Sequence, residues 1–315
     1  MGQAKIRVAA IGECMIELAC RDGASPVLGF GGDTLNTAVY LARCGASEGI
    51  SVDYVTALGS DPMSDMMVSA WAAEGIGTDK VERRADRLPG LYMIRTDDSG
   101  ERRFYYWRQQ AAVRELFLGQ AADRVLASLT DYDALYFSGI TLAVLTAEAR
   151  ERLRQTLLVA RQRGATVVFD SNYRPALWPG PGAAQLVFKT FFPVLSMALP
   201  SFEDEAKLWG VESPRATARR YSAAGVPEIV VKCGADGCVV SFEGELNSVP
   251  VPAVITPVDT TAAGDAFNAA YLAARLRGRP PAEAARMAHC LAAAVIGHSG
   301  AIIPRHATPD LWTSP

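Results

Sequence analysis

The sequence has few of the side chains that bind zinc or form nucleophilic triads. Its 315 residues include three histidines, all near the C-terminus, and six scattered cysteines without a C-x-x-C pair or a Cys/His cluster. A zinc site or a histidine-based triad therefore has little to be built from. We expect the cysteines to be reduced and mostly packed. Carboxylates and backbone dipoles must then supply any chemistry.

The sequence also lacks a large excess of positive or negative charge and a long apolar run. The formal net charge is −3, and no basic patch stands out, which argues against nucleic acid or an anionic membrane as a partner. No apolar run approaches the roughly 20 residues of a membrane span. Residues 1–18 carry no signal-peptide cleavage site. We therefore expect a cytoplasmic protein that acts on small molecules.

What the sequence does contain is an alternation of short apolar runs with amphipathic helical segments. Half of the side chains are hydrophobic, enough for one large domain with a sizeable core. Residues 146–163 place leucine, valine and alanine among many arginines at helical spacing. The alternation predicts an α/β fold with a mainly parallel central sheet and helices on both faces. The predicted strands are 6–11, 52–57, 134–138, 166–170, 197–200, 229–232 and 238–242.

One stretch departs from this alternation. Residues 90–108 indicate two strands joined by a turn at Asp98, Ser99 and Gly100. Together with residues 13–30 they are predicted to form a small β-sheet lid over a single domain that spans the whole chain. An ordinary edge hairpin fits the same pattern.

Side-chain alternation in the predicted lid favours a ligand-binding face. Tyr106 and Arg108 lie two residues apart and share one face, as do Tyr92 and Ile94. An aromatic and guanidinium face suits a polar, anionic ligand. The other face of the lid is predicted to be able to pair with a second copy as a homodimer.

Residues 258–268, VDTTAAGDAFN, are the most informative segment. The small residues Ala262, Ala263 and Gly264 precede a helical pattern, so their N–H groups can approach a phosphate at the positive end of a helix. Asp265 follows in the first turn, where a carboxylate can take the proton of a hydroxyl that attacks a phosphoryl group. From the local pattern alone, Asp265 is equally a carboxylate that merely offsets the helix dipole.

A second glycine-rich segment, 29–43, also leads into a helical pattern. Gly32 ends a glycine pair, and Asp33 and Asn36 stand in the first turn, where polar groups can bind sugar hydroxyls. The alternative is an ordinary capped helix with Asp33 as its N-cap, and both can hold at once. A GxxxxGK[ST] phosphate loop and a GxGxxG fingerprint are absent, which disfavours P-loop kinases and dinucleotide enzymes.

The segment DTTAAGDAF closely resembles the signature of the ribokinase-like (PfkB) carbohydrate kinases, where glycine usually stands at the position of Ala262. The resemblance implies a ribokinase-like fold, ATP as co-substrate, Mg²⁺, and a monovalent cation as a further candidate ligand. It also implies that Ala262, Ala263 and Gly264 form an anion hole, with Asp265 as catalytic base. The family's Asn-x-x-Glu motif is replaced by residues 201–204, SFED, which leaves Asp204 to act on Mg²⁺ through water.

Further segments extend this resemblance along almost the whole chain, to the branch of the family that acts on keto-sugar acids. They are GECMIEL, GFGGDTLNTAVYLARCG, YVTALGSD, RLPGLYMIRTDDSGERRFYYWR, FDSNYRPALW, VVKCGADGC and GAIIPR. The implied sugar-acid site consists of Gly32, Asp33, Asn36, Tyr92, Tyr106, Arg108, Ile140, Arg174 and Asp265. The implied ATP site consists of Lys232, Gly234, Gly237, Ala262, Gly264 and His298.

Arginine chemistry agrees with an acidic substrate. Arg108 and Arg174 offer paired donors in a fixed fork to a carboxylate, which a neutral sugar does not need. An isolated arginine is nevertheless more often a solvated surface charge, and the residues of the turn after Lys232 are more simply explained by a strand-to-strand turn. Two alternatives remain: a kinase of the same fold for a neutral sugar such as fructose, and a catalytically silent sugar-acid sensor.

Overall fold

The computed structural model describes residues 4–21, 25–96, 102–252 and 255–313. Its strands are β1 (Ile6–Ile11), β2 (Met15–Arg21), β3 (Val27–Gly31), β4 (Ile50–Leu58), β5 (Val81–Arg83), β6 (Leu91–Thr96), β7 (Arg102–Trp107), β8 (Ala134–Ser138), β9 (Thr166–Asp170), β10 (Met197–Ala198), β11 (Glu228–Lys232), β12 (Cys238–Phe242) and β13 (Glu245–Val249). Its helices are α1 (Asp33–Gly45), α2 (Pro62–Ala73), α3 (Ala121–Leu129), α4 (Gly139–Val144), α5 (Ala147–Gln162), α6 (Pro181–Phe191), α7 (Phe202–Trp209), α8 (Pro214–Ala223), α9 (Ala263–Leu276) and α10 (Pro281–Ile296).

The central sheet has the order β13-β12-β11-β10-β9-β8-β1-β4-β5. Neighbours from β11 to β5 pair in parallel, and β12 and β13 add an antiparallel hairpin at one edge. This confirms the predicted sheet. The predicted strand 197–200 is shorter, at Met197–Ala198, because Pro200 has no N–H with which to continue the ladder.

The two faces of this sheet pack into separate cores. Along β1, Val8 and Ala10 belong to one hydrophobic cluster and Ala9 and Ile11 to the other, as the alternation of strand side chains requires. Helices α1, α9 and α10 cover the first face, and α5 helps to cover the second. The helices leave the carboxyl ends of the parallel strands uncovered, and open α/β sheets bind ligands at these ends. This side of the central sheet is called its open edge below.

Strands β2, β3, β6 and β7 form a second sheet, called the small sheet below, in the order β3-β2-β6-β7. The antiparallel pair of β6 and β7 confirms the two strands predicted within residues 90–108. The turn predicted at Asp98, Ser99 and Gly100 lies outside the described residues. Within the described ranges, no helix has the length and apolarity needed to cross a bilayer. All six cysteines are free thiols, as expected.

Candidate active site

The starts of α1 and α9 meet at the open edge of the central sheet. Asn36 Nδ2, in the first turn of α1, donates a hydrogen bond to Asp265 Oδ2 at 2.8 Å. Thr37 Oγ1 donates to the backbone oxygen of Asp265 at 3.3 Å. Packing of α1 against α9 therefore joins two predicted motifs whose contacting residues are 229 positions apart.

Asp265 lies in the first turn of α9, as the sequence predicts, and is 9% exposed. Burial, reinforced by the nearby charge of Asp33, raises the pKa of Asp265 to about 8. The hydrogen bond from Asn36 and the charge of Lys232 oppose this rise. A carboxyl group that titrates near neutral pH is well suited to accept a proton from a substrate hydroxyl.

The alternative in which Asp33 caps α1 is wrong. Gly32 is the N-cap residue, and Asp33 is the first residue of the helix. The Asp33 carboxylate instead accepts a hydrogen bond from Asn172 Nδ2 at 2.8 Å. Gly32 packs so closely that a Cβ there would lie 2.2 Å from the backbone oxygen of Glu13. This close approach explains the glycine and directs Asp33 toward the loop after β9.

The residues of the predicted anion hole form a turn at the start of α9. Ala262 is the N-cap residue and has a left-handed conformation with φ of 61°. This conformation costs about 1–2 kcal/mol for a residue with a Cβ, so glycine would be favoured there. Ala263 N already donates to Thr260 O at 3.3 Å, and we therefore regard Gly264 N as the better placed donor. The first N–H groups of α9 carry the positive end of the helix dipole.

A buried ion pair lies beside this turn. Lys232 Nζ donates to Asp170 Oδ2 and to Asn268 Oδ1, both at 2.9 Å. Asn268 Nδ2 donates to Asp170 Oδ2 at 2.7 Å, which closes the triangle. The Lys232 ammonium lies 3.6 Å from the position that a Cβ on Gly264 would take. Its positive charge is thus close enough to the predicted anion hole to stabilise a bound phosphate.

The small sheet contributes an aromatic and cationic face. The rings of Tyr92 and Tyr106 stack with centroids 6.0 Å apart, and the Arg108 guanidinium lies 5.9 Å from the centroid of Tyr106. This confirms that Tyr106 and Arg108 share a face. Tyr92 OH donates to Glu17, and Arg108 Nη2 donates to Glu13. Both glutamates belong to the GECMIEL segment, yet neither was predicted as a site residue.

Arg174 and Asp204 lie together at the same edge. Arg174 Nη1 is 3.4 Å from Asp204 Oδ1, and Asp204 is buried in the first turn of α7. Burial raises the pKa of Asp204. In the described part of the chain, no group of three or more His, Cys, Asp or Glu side chains could hold a metal ion. A Mg²⁺ ion would therefore need most of its ligands from water and from the nucleotide phosphates.

For four of the predicted ligand-binding residues, the structure shows only local surroundings. Gly234 and Gly237 both have positive φ, and a Cβ on Gly237 would lie 2.2 Å from Val249 O. The tight turn between β11 and β12 accounts for both glycines. His298 Nδ1 lies 2.9 Å from Ala294 O at the end of α10, and Ile140 is half-buried in α4. Their roles toward ATP or sugar stay predictions.

Besides Glu13 and Glu17, three further polar residues of the site were not predicted from the sequence. Asp170 and Asn172 stand at and just after the end of β9, and Asn268 lies one turn after Asp265 in α9. Asp170 and Asn172 could have been predicted from the sequence, because polar residues at the carboxyl end of a buried parallel strand tend to face the ligand.

Known proteins share this combination of motifs and fold. The pattern of the pfkB family carbohydrate kinases matches residues 5–308. The chain is 46% identical to 2-dehydro-3-deoxygluconokinase of Escherichia coli K12, across 96% of this chain and 99% of that protein. A protein of the same name from Haemophilus influenzae is 40% identical, across 97% and 98%. The crystal structure of fructokinase with bound ATP from Xylella fastidiosa, 23% identical, has a TM-score of 0.82 and coverage of 98% and 97%.

The family pattern covers nearly the whole chain, and the two glycine-rich segments of this chain meet where Asn36 bonds to Asp265. The chain therefore belongs to the pfkB family of carbohydrate kinases.

Proposed function

We propose that this chain transfers the γ-phosphoryl group of ATP to the hydroxyl on carbon 6 of 2-keto-3-deoxygluconate. The products are 2-keto-3-deoxy-6-phosphogluconate and ADP. The main structural support is the hydrogen bond by which Asn36, in α1, positions Asp265 at the start of α9. The 40–46% identity to proteins named 2-dehydro-3-deoxygluconokinase supports the choice of sugar acid.

In this reaction Asp265 accepts the proton of the 6-hydroxyl while the oxygen attacks the γ-phosphorus in line. A new P–O bond forms to the sugar, and the bond to the β-phosphate oxygen breaks. Asn36 occupies Asp265 Oδ2, which leaves Oδ1 for the hydroxyl. Gly264 N, the helix dipole and Lys232 stabilise the negative charge on the phosphoryl oxygens.

The residues present fit a magnesium ion that the nucleotide mainly holds. Mg²⁺ usually takes one or two carboxylates together with phosphate oxygens and water. Asp204 is the candidate carboxylate, and its contact with half-exposed Arg174, at 3.4 Å, is longer than a strong hydrogen bond. When bound, Mg²⁺ neutralises charge on the phosphate oxygens. A monovalent-cation requirement and a cytoplasmic location stay predictions.

Unpartnered polar atoms support the sugar-acid site. Among the described residues, Asn36 Oδ1, Asn172 Oδ1 and Arg108 Nε are buried without a hydrogen-bond partner. Buried polar atoms are nearly always paired in folded proteins. Unpaired ones also occur away from this site, such as Thr217 Oγ1 and His289 Nε2, so the weight of these three comes from the bonds of the same side chains to Asp265, Asp33 and Glu13. Sugar hydroxyls would donate to the two amide oxygens, and the carboxylate of a sugar acid would accept from Arg108.

The direct test is turnover of the purified protein with Mg-ATP and 2-keto-3-deoxygluconate, with fructose and ribose in parallel. ADP release and the mass of the phosphorylated product are measured. We expect kcat/KM for the keto acid to exceed that for fructose on the order of 10²-fold, because a charged hydrogen bond is lost with a neutral sugar. Preference for fructose would identify a neutral-sugar kinase, and no turnover with any sugar would favour the sensor.

We also propose a homodimer through the small sheet. Tyr105 and Trp107 alternate with Tyr106 along β7 and so point away from the ligand face, where they are 44% and 56% exposed. Phe104 and Tyr106 on the ligand face are similarly exposed, at 46% and 53%. The proposal assigns the ligand to that face and the second copy to the opposite face, where exposed aromatic groups favour self-association. Sedimentation velocity should show a dimer that Tyr105→Glu converts to a monomer. A monomeric wild type at every concentration tested would exclude it.

A further inference from the structure

The small sheet joins the main domain around one buried residue, Glu13. Glu13 lies between β1 and β2 and is 2% exposed. Gly32, where β3 leads into α1, packs against its backbone oxygen, and a Cβ on Gly90, just before β6, would lie 2.9 Å from its Oε1. Arg108, directly after β7, donates from Nη2 to Glu13 Oε2. Glu13 is therefore close to an end of every strand in the small sheet.

The ion pair between Glu13 and Arg108 leaves polar atoms unused. Within the described ranges, Glu13 Oε1 and Arg108 Nε are buried without a hydrogen-bond partner. The Arg108 side chain is only 11% exposed, so few water molecules can reach it. A guanidinium has five N–H donors in one plane. The bond to Glu13 uses one of them and sets the orientation of that plane.

Other charges around Glu13 do not replace this bond. Burial raises the pKa of Glu13, and Arg108, which bonds to it, opposes this rise more than any other group. Asp33 and Arg114 act on Glu13 only through space, with opposite signs. A buried carboxylate is tolerated when a well-placed cation pairs with it. Arg108 is thus the principal partner of Glu13, and the pairing constrains both side chains.

We propose that Glu13 is a positioning residue that selects acidic substrates. Its bond to Arg108 fixes the guanidinium at the base of the small sheet, so that the remaining donors meet the carboxylate of a sugar acid. This inference rests on the proposed function, because only an acidic substrate has the group that Arg108 would bind. Placing a binding group in advance lowers the cost of ordering it when the substrate arrives.

The test is a double-mutant cycle on Glu13 and Arg108. Glu13→Ala should raise KM for 2-keto-3-deoxygluconate by about 10–100-fold, the effect of a misplaced binding group, and leave KM for ATP within about twofold. Glu13→Gln keeps an oxygen in reach of Arg108 and should restore most of the affinity. In an Arg108→Ala background, Glu13→Ala should have little further effect, because the two residues act through one contact. If Glu13→Ala does not fold, Glu13→Asp, one methylene shorter, takes its place.

Glu228 provides a matched control. It is also a buried glutamate paired with an arginine, at 2.7 Å from Arg275 Nε, but it lies at the opposite end of β11 from Lys232. Glu228→Ala should lower the unfolding midpoint and leave both KM values unchanged.

Four outcomes would overturn the inference. An equal rise of both KM values in Glu13→Ala would show a general structural role, and an undiminished effect without Arg108 would exclude the proposed contact. Wild-type turnover of the keto acid with an unchanged KM in Glu13→Ala would overturn this inference alone. Absence of wild-type turnover with the keto acid would overturn the proposed function as well.

Discussion

Replacing Asp265 with asparagine is expected to lower kcat by about 10²–10⁴-fold, the usual contribution of a general base. The amide cannot take the proton of the attacking hydroxyl, although it preserves the shape of the carboxylate. ADP release at saturating ATP and sugar acid measures the effect. Asp65→Asn, on the exposed face of α2, is a matched control that should retain full activity. Turnover of Asp265→Asn within about threefold of the wild type would remove Asp265 from the mechanism.

Although Asp265→Asn should lower kcat, it should raise the free energy of unfolding at high pH. The pKa of Asp265 is about 8 in the folded protein against an ordinary value of 3.8, so the folded state holds the proton more tightly than the unfolded chain. The wild type therefore loses stability as pH rises from about 4 to about 8, and the loss levels off above that range. Asparagine does not ionise and escapes this loss.

Urea unfolding at pH 5 and pH 9 measures this effect. The free energy of unfolding of Asp265→Asn, relative to the wild type, should be higher at pH 9 than at pH 5. An equal difference at both pH values would contradict the raised pKa. Since only the ionised carboxylate accepts a proton, the wild-type kcat/KM for the sugar should also rise with pH and level off near pH 8.

Replacing Lys232 with methionine is expected to lower the free energy of unfolding by about 3–5 kcal/mol, the usual cost of breaking a buried ion pair. The Asp170 carboxylate would lose the cation that bonds to it, and Asn268 Oδ1 would lose a donor. Turnover should also fall, because the positive charge beside the predicted anion hole disappears. Urea unfolding and the ADP-release assay measure the two effects separately.

A double variant separates charge from packing at this pair. Lys232→Met combined with Asp170→Asn removes both charges and should recover much of the lost stability, because no unpaired ion remains buried. Phosphoryl transfer should stay low, since the cation is still missing. If the double variant is as unstable as Lys232→Met alone, the Asp170 charge is not the cause of the loss.

The fold class was predictable because its signals are local. A buried parallel strand reads as a short apolar run, and an amphipathic helix repeats every 3.6 residues. The helix predicted at 146–163 matches α5, whose N-cap Thr146 accepts from Ala149 N at 3.2 Å. Small residues before a helix start likewise mark the turn at Ala262 without knowledge of any distant residue.

The partners of the site residues were not predictable in this way. The Asp33 carboxylate accepts a hydrogen bond from Asn172, which lies 139 residues away, instead of capping its own helix. Lys232 pairs with Asp170 across 62 residues, and Arg108 pairs with Glu13 across 95. Charged side chains at such separations produce no periodic pattern in the sequence.

The sequence by itself therefore determined the α/β architecture, the two glycine-rich helix starts and the position of Asp265 in the first turn of α9. Only the tertiary structure decided that Asn36 holds Asp265, that Asp170 and Asn268 hold Lys232, and that Glu13 holds Arg108. The physical reason is that a buried charge pairs with whichever donor or acceptor packing brings to within about 3 Å. Propensity and periodicity describe neighbours in the chain, whereas burial and packing select neighbours in space.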